Sequence, residues 1–211
     1  MNSERYYQIG DIHFQVTSDL PFEIPEGNAA DFRISQAKAD FKFEFKQSEK
    51  VADYTKVSKR VADVGFAHEF INPSGEYFRA FLWNDIYYDS VLDLDMEKKE
   101  GVLSYISPEI IAEQCGKGTS LFNYLCLERV LESYEALILH SSHIVVGDEA
   151  ILFCAPSGVG KSTQADLWVR HEQAKIINGD RTLLRKKEGV WHAYAVRCAA
   201  RVIFICRAVK S

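Results

Sequence analysis

The stretch Cys154-Ala-Pro-Ser-Gly-Val-Gly-Lys-Ser-Thr163 limits the possible folds and chemistries of this chain more than any other. An apolar run, Ala150 to Cys154, leads into it as a buried strand would, and a helix-forming segment, Ser162 to His171, follows. Gly158 and Gly160 allow backbone turns closed to residues with a Cβ, so successive N–H groups can point at one anion. Ser157, Val159 and Thr163 complete the backbone cradle. Lys161 supplies a mobile positive charge for β- and γ-phosphates, and Ser162 or Thr163 a hydroxyl for Mg²⁺. The start of the helix adds unpaired N–H groups and the positive end of its dipole. Residues 155 to 163 therefore predict a site for ATP or GTP with Mg²⁺. The usual pattern G-x-x-x-x-G-K-[ST] has glycine where Ala155 stands, and alanine fits there if its φ is negative.

Upstream the texture is different. From Tyr6 to about Asp95 apolar and polar residues alternate in short runs, as in Ile12 to Val16 and Phe41 to Lys46, the period of half-buried strands. Pro21, Pro25-Glu-Gly27 and Asn72-Pro-Ser-Gly75 punctuate them. Tyr77 to Trp83 and Ile86 to Tyr88, joined by Asn84-Asp85, read as a hairpin. From Ser107-Pro108-Glu109 the period lengthens, and the apolar residues of Thr119 to Leu139 fit one or two helices with a broad buried face. After His140 the expected order is strand (His143 to Val146), strand (Ile151 to Cys154), loop, helix and strand (Ala174 to Asn178). A hairpin from Thr182 to Ala195 follows, turning at Lys187-Glu-Gly189.

These patterns predict an α+β chain, with an N-terminal antiparallel β-rich part followed by a P-loop α/β nucleotide-binding module. The expected divisions are a β-rich region at 1–100, a helical connector at 101–139 and the nucleotide module at 140–211.

Two further residues are candidates for the chemistry. Asp180 closes the apolar strand that follows the helix, where a carboxylate can hold Mg²⁺ or accept a proton from an attacking hydroxyl. Asn178-Gly-Asp180 is equally a sequence that favours a turn. His140 precedes the strand pair that leads to the loop and stands as a second candidate base, although a lone histidine is more often structural. Arg181 could pair with a phosphate or with a surface carboxylate, and the sequence leaves both open.

Composition closes off other classes. A formal net charge of −5 gives no general basic field for nucleic acid. No run approaches the roughly 18 apolar residues of a membrane span, and no apolar segment follows the N-terminus, so a cytoplasmic chain is expected. The five cysteines are odd in number and show no metal-ligand spacing, and they read as buried thiols.

His140-Ser-Ser-His143 through Ala155-Pro-Ser-Gly-Val-Gly-Lys-Ser162, with Ile177-Asn-Gly-Asp-Arg181, resembles the catalytic part of the HPr kinase/phosphorylase family. That family shares a fold with ATP-dependent phosphoenolpyruvate carboxykinase. The resemblance covers roughly residues 135 to 196 and is similar in detail to HPr-kinase-like proteins of bacterial modified-peptide gene clusters. It implies an ATP- and Mg²⁺-dependent kinase acting on a serine of a protein or peptide, and oligomers are possible. Lys161 would bind the β- and γ-phosphates, Ser162 and Asp180 the metal, and Asp180 or His140 would serve as base. One acid stands where HPr kinase has two, so the phosphorylase half-reaction and HPr as substrate do not carry over. A small-molecule kinase, a carboxykinase-like enzyme and a nucleotide-binding protein without turnover are the alternatives. The text after Ala195 departs from the resemblance. It reads either as a terminal strand, with Val202, Phe204 and Cys206 alternating, or as a shifted reading frame that truncates an inactive chain.

Overall fold

A computed structural model describes residues 3–51, 58–84, 87–118, 120–179, 181–195 and 204–206. The chain divides into two compact units, Met1–Gln8 with Ile12–Leu127, and Ile9–Asp11 with Glu128–Ser211.

The first unit is built on a nine-stranded sheet. Its strands are β1 (Ser3–Ile9), β2 (Ile12–Ser18), β3 (Arg33–Ile34), β4 (Phe41–Gln47), β5 (Lys59–Asp63), β6 (Ala67–Ile71), β7 (Tyr77–Trp83), β8 (Tyr87–Asp95) and β9 (Glu100–Tyr105). Their spatial order is β3-β1-β2-β4-β9-β8-β7-β6-β5. The alternation in the sequence is the alternation of burial: in β2 every odd position counted from Ile12 is buried, and in β4 Phe41, Phe43 and Phe45 face inward. The sheet is mixed rather than antiparallel, because β2 pairs with β4 and β4 with β9 in parallel. Parallel neighbours need long connections, which residues 19–40 and 48–99 provide. Gly101 lies opposite Phe43, and a Cβ there would come within 2.7 Å of the Phe43 ring. Two short helices follow, α1 (Pro108–Cys115) and α2 (Ser120–Tyr124), while α3 (Leu127–Glu132) starts at the last residue of this unit and otherwise belongs to the second. The side chain of Ser107 caps α1 by accepting from Ile110 N at 3.2 Å, with Pro108 in the first turn.

The second unit carries β10 (Ala136–Val146), β11 (Glu149–Cys154), α4 (Lys161–Glu172), β12 (Lys175–Asn178), β13 (Arg181–Lys187), β14 (Val190–Ala195) and β15 (Phe204–Cys206). Here the expected fold class is overturned. Strands hold 49% of the described residues and helices 20%, in only five short helical segments counting a 3-10 turn at Gly27–Phe32, and no P-loop α/β module is evident among them. The six strands run β11-β15-β14-β13-β10-β12, with β10 also paired to β11. The pairings β10–β11–β15–β14–β13–β10 thus close on themselves, and all but β11–β15 are antiparallel.

The reason lies in the connections. β10 and β11 are joined at Gly147-Asp148, and β13 and β14 at Glu188-Gly189, where φ is 50° and 81°. Such tight turns, the second with both residues left-handed, make hairpins, whereas parallel strands need crossovers of about a dozen residues or more. Leu137 and Ile138, expected in a helix, belong to the first half of β10, a strand of 11 residues that bridges two different partners on one edge.

Strand alternation separates two faces. Ser141, His143, Val145, Ala150, Thr182 and Ala193 share one, and all are buried. Their mostly small side chains suit the inside of a narrow ring, and on that face Ser141 Oγ of β10 lies 2.9 Å from Thr182 Oγ1 of the adjacent β13. On the other face α4 covers Ile144, with Ala165 and Ala174 buried against it and Ile151, Phe153 and Trp168 at the margin.

Candidate functional site

β11 ends at Cys154, and the next six residues carry the backbone into α4. The turn is left-handed at Gly158 (φ 81°) and Gly160 (φ 99°), and no positive φ occurs at Ala155. The departure from glycine at that first position therefore costs nothing, while Gly158 and Gly160 hold conformations that a Cβ penalises. Crowding is not the constraint. A Cβ on Gly158 would meet nothing within 4 Å, and one on Gly160 only Thr163 Cβ at 4.0 Å.

Gly160 is also the N-cap of α4, and no side chain caps that end. The first-turn N–H groups of Lys161, Ser162 and Thr163 are thus left for a ligand or water. Lys161 folds back over the loop, its Nζ donating to Ala155 O at 2.9 Å and Pro156 O at 3.2 Å. Ser157, Gly158, Val159, Ser162 and Thr163 are all exposed, Val159 at 67%. α4 ends at Gln173, left-handed at φ 54°, with Arg170 and His171 in its last turn, where positive charge complements the dipole.

The register of β10 brings the other candidates to the root of this loop. Ser141 lies opposite Cys154 on β11, His140 opposite Arg181 on β13, and His143 opposite Asn178 at the end of β12. The connection between β12 and β13 is braced by Asn178, whose Oδ1 accepts from Arg181 N at 3.3 Å. His140 is exposed, and alternation places it on the face that α4 covers. Asp180 lies outside the described residues, as do 196–203 and 207–211. Phe204–Cys206 form β15, between β14 and β11.

Several features were not legible beforehand. His143, which the sequence marks only as a motif residue opening an expected strand, is buried on the ring face, and burial depresses its imidazole to about 4. The Ser141–Thr182 pair needed the β10–β13 register to be seen. Cys115 and Cys126 are buried as expected, whereas Cys154 is exposed at the end of β11. In the first unit Asp89 is buried on β8, and desolvation pushes its carboxyl up to about 6 against the opposing pull of the Ser107 backbone N–H. No described helix is long and apolar enough to cross a membrane. No family model, curated protein or solved structure matches the chain.

Proposed function

We propose that this chain binds ATP with Mg²⁺ through residues 155 to 163 and transfers the γ-phosphate to a serine hydroxyl of a protein or peptide in the cytoplasm. The observation that carries the reading is the pair of left-handed glycines, Gly158 and Gly160, opening onto a helix whose N-terminus no side chain caps. That is the chemistry of an anion cradle, and it does not depend on the architecture of the sheet behind it. Lys161 would release its two loop carbonyls and meet the β- and γ-phosphates, while Ser162 would offer its hydroxyl to the metal. ATP would supply the phosphoryl group, and Mg²⁺ would neutralise charge on its oxygens. His140, on the same face as the helix, or Asp180, which precedes Arg181 in the sequence, would accept the serine proton. The resemblance to HPr-kinase-like proteins supports serine as acceptor.

The test is nucleotide-dependent thermal stabilisation with Mg²⁺, followed by transfer from γ-labelled ATP to a library of serine peptides. ATP should raise the melting temperature of the wild-type chain and have little effect on Lys161→Ala, whose fold should persist because the lysine reaches only loop carbonyls. An equal shift in both chains would remove Lys161 from the site. No shift in the wild type would dispose of the nucleotide reading, and binding without transfer to any peptide would leave a nucleotide-binding protein rather than a kinase.

A further inference from the structure

We infer that Arg181 reads the terminal phosphate of the nucleotide held by the 155–163 loop, reaching it from the strand on the far side of β10. This rests on the nucleotide reading above and adds to it a residue that distinguishes triphosphate from diphosphate.

Three steps of register carry the argument. β10 runs between β11 and β13, with Ser141 opposite Cys154, the residue before the loop, and His140 opposite Arg181. Neighbouring strands lie about 4.8 Å apart, so the Arg181 backbone is roughly 10 Å from the root of the loop. An extended arginine and a triphosphate together span that gap. The faces agree as well. Ile144 packs against α4 through Ala165, and its cross-strand partner Ile151 packs against the same cluster. Two residues per alternation, from Ile144 through Ser142 to His140, keep His140 on the helix side, and Arg181 shares that side as its direct partner. Lys161, His140 and Arg181 therefore stand on one side of the sheet around the opening of the loop.

The chemistry of the two cations differs in a useful way. Lys161 is a point charge rooted in the loop, where its Nζ bonds the carbonyls of Ala155 and Pro156. Arg181 offers a planar fork that can hold two oxygens of one phosphoryl group. Its side chain is exposed, and its backbone is pinned by Asn178 Oδ1, so the fork starts from a fixed point. Charge on the γ-phosphoryl oxygens is what a transferring site must hold in place, and a cation reaching from outside the loop is suited to it. A diphosphate ends too soon for this contact.

Fluorescent (mant-labelled) ADP and AMP-PNP, a non-hydrolysable triphosphate, should be titrated with Mg²⁺ into the wild type, Arg181→Gln and Arg181→Lys. The wild type should prefer the triphosphate. Arg181→Gln should weaken AMP-PNP about tenfold and leave ADP within about twofold, the loss of one charge-assisted contact, and Arg181→Lys should recover part of it. Equal weakening of both nucleotides, or of neither, in a wild type that binds them would overturn the role of Arg181 and spare the nucleotide site. A wild type that binds neither nucleotide would remove the site and the inference with it. Circular dichroism melts of both variants establish that the fold is retained.

Discussion

Lowering the pH should weaken the second unit through His143. The residue is fully buried on the ring face of β10, between Leu152 on β11 and Asn178 on β12, and burial holds its imidazole neutral down to about 4. In the unfolded chain the same group takes a proton near its ordinary value of 6.5. Between those values the unfolded state binds more protons, so stability is intact above 6.5 and falls as the pH drops towards 4. From pH 7.5 to 4.5 the linkage amounts to about 2.5 kcal/mol. With a urea dependence of about 1 kcal/mol per molar, the midpoint should fall by on the order of 2 M.

Fluorescence can isolate this unit. Trp83 lies in the first unit, and Trp168 and Trp191 lie in the second, so a Trp83→Phe chain reports the second unit alone. Urea titrations at pH 7.5 and 4.5 should be run in that background with and without His143→Leu. Lost packing shifts both midpoints of the leucine chain together, whereas the proton-linked part of about 2.5 kcal/mol should vanish from the difference between them. If the two chains lose stability equally with acid, His143 is not the buried neutral base described here, and protonation must find a compensating acceptor within the ring.

Asp89 should act with the opposite sign in the first unit. Its carboxyl, raised to about 6 from 3.8 by burial, makes ionisation costly, a penalty present above 6 and relieved as the pH falls to 3.8. The first unit should gain about 2 kcal/mol from pH 7.5 to 4.5, read from Trp83 in a Trp168→Phe, Trp191→Phe chain, and Asp89→Asn should abolish that gain. Gly101→Ala should destabilise the first unit by about 1 to 3 kcal/mol in the same denaturation assay, because the new Cβ meets Phe43 Cδ1 at 2.7 Å and Leu94 Cδ2 at 3.0 Å. Gly160→Ala faces no such clash but must hold φ near 99°, at a cost of about 1 to 2 kcal/mol. Its loop should relax away from that geometry, so isothermal titration should show nucleotide affinity reduced while the circular dichroism spectrum stays unchanged.

The strands were legible where alternation was strict. Ile12 to Val16, Phe41 to Lys46, Tyr77 to Trp83 and the pair around Glu188-Gly189 all appear as β2, β4, β7 and the β13–β14 hairpin. What alternation cannot express is which strand pairs with which. Phe43 faces the core whether β4 meets a parallel or an antiparallel neighbour, so the parallel β2–β4–β9 arrangement left no trace in the local pattern. The same gap produced the error in fold class. A strand, a glycine loop and a helix in succession suit either an α/β unit or a hairpin sheet carrying one helix, and the deciding elements are the turns at Gly147-Asp148 and Glu188-Gly189. Leu137 and Ile138 failed differently. Four apolar residues in a row satisfy helical and extended periods alike, and pairing with Leu184 and Leu183 on β13 decides for the strand.

The candidate site divides along the same line. Gly158, Gly160 and Lys161 owe their geometry to their immediate neighbours, so the sequence was enough to single them out, and the two glycines do take the left-handed turns it requires. His140 and Arg181 are 41 positions apart, and nothing local relates them; only the β10–β13 register makes them partners. Loops with left-handed glycines are common, and a helix start is available in many proteins, so neither feature alone makes a phosphate site specific. Specificity must come from groups fixed in distant strands, which can hold a phosphoryl oxygen without moving with the loop. On the proposed reading β10 would do that work, since one strand carries His140, pairs it with Arg181, and borders the strand from which the glycine loop departs.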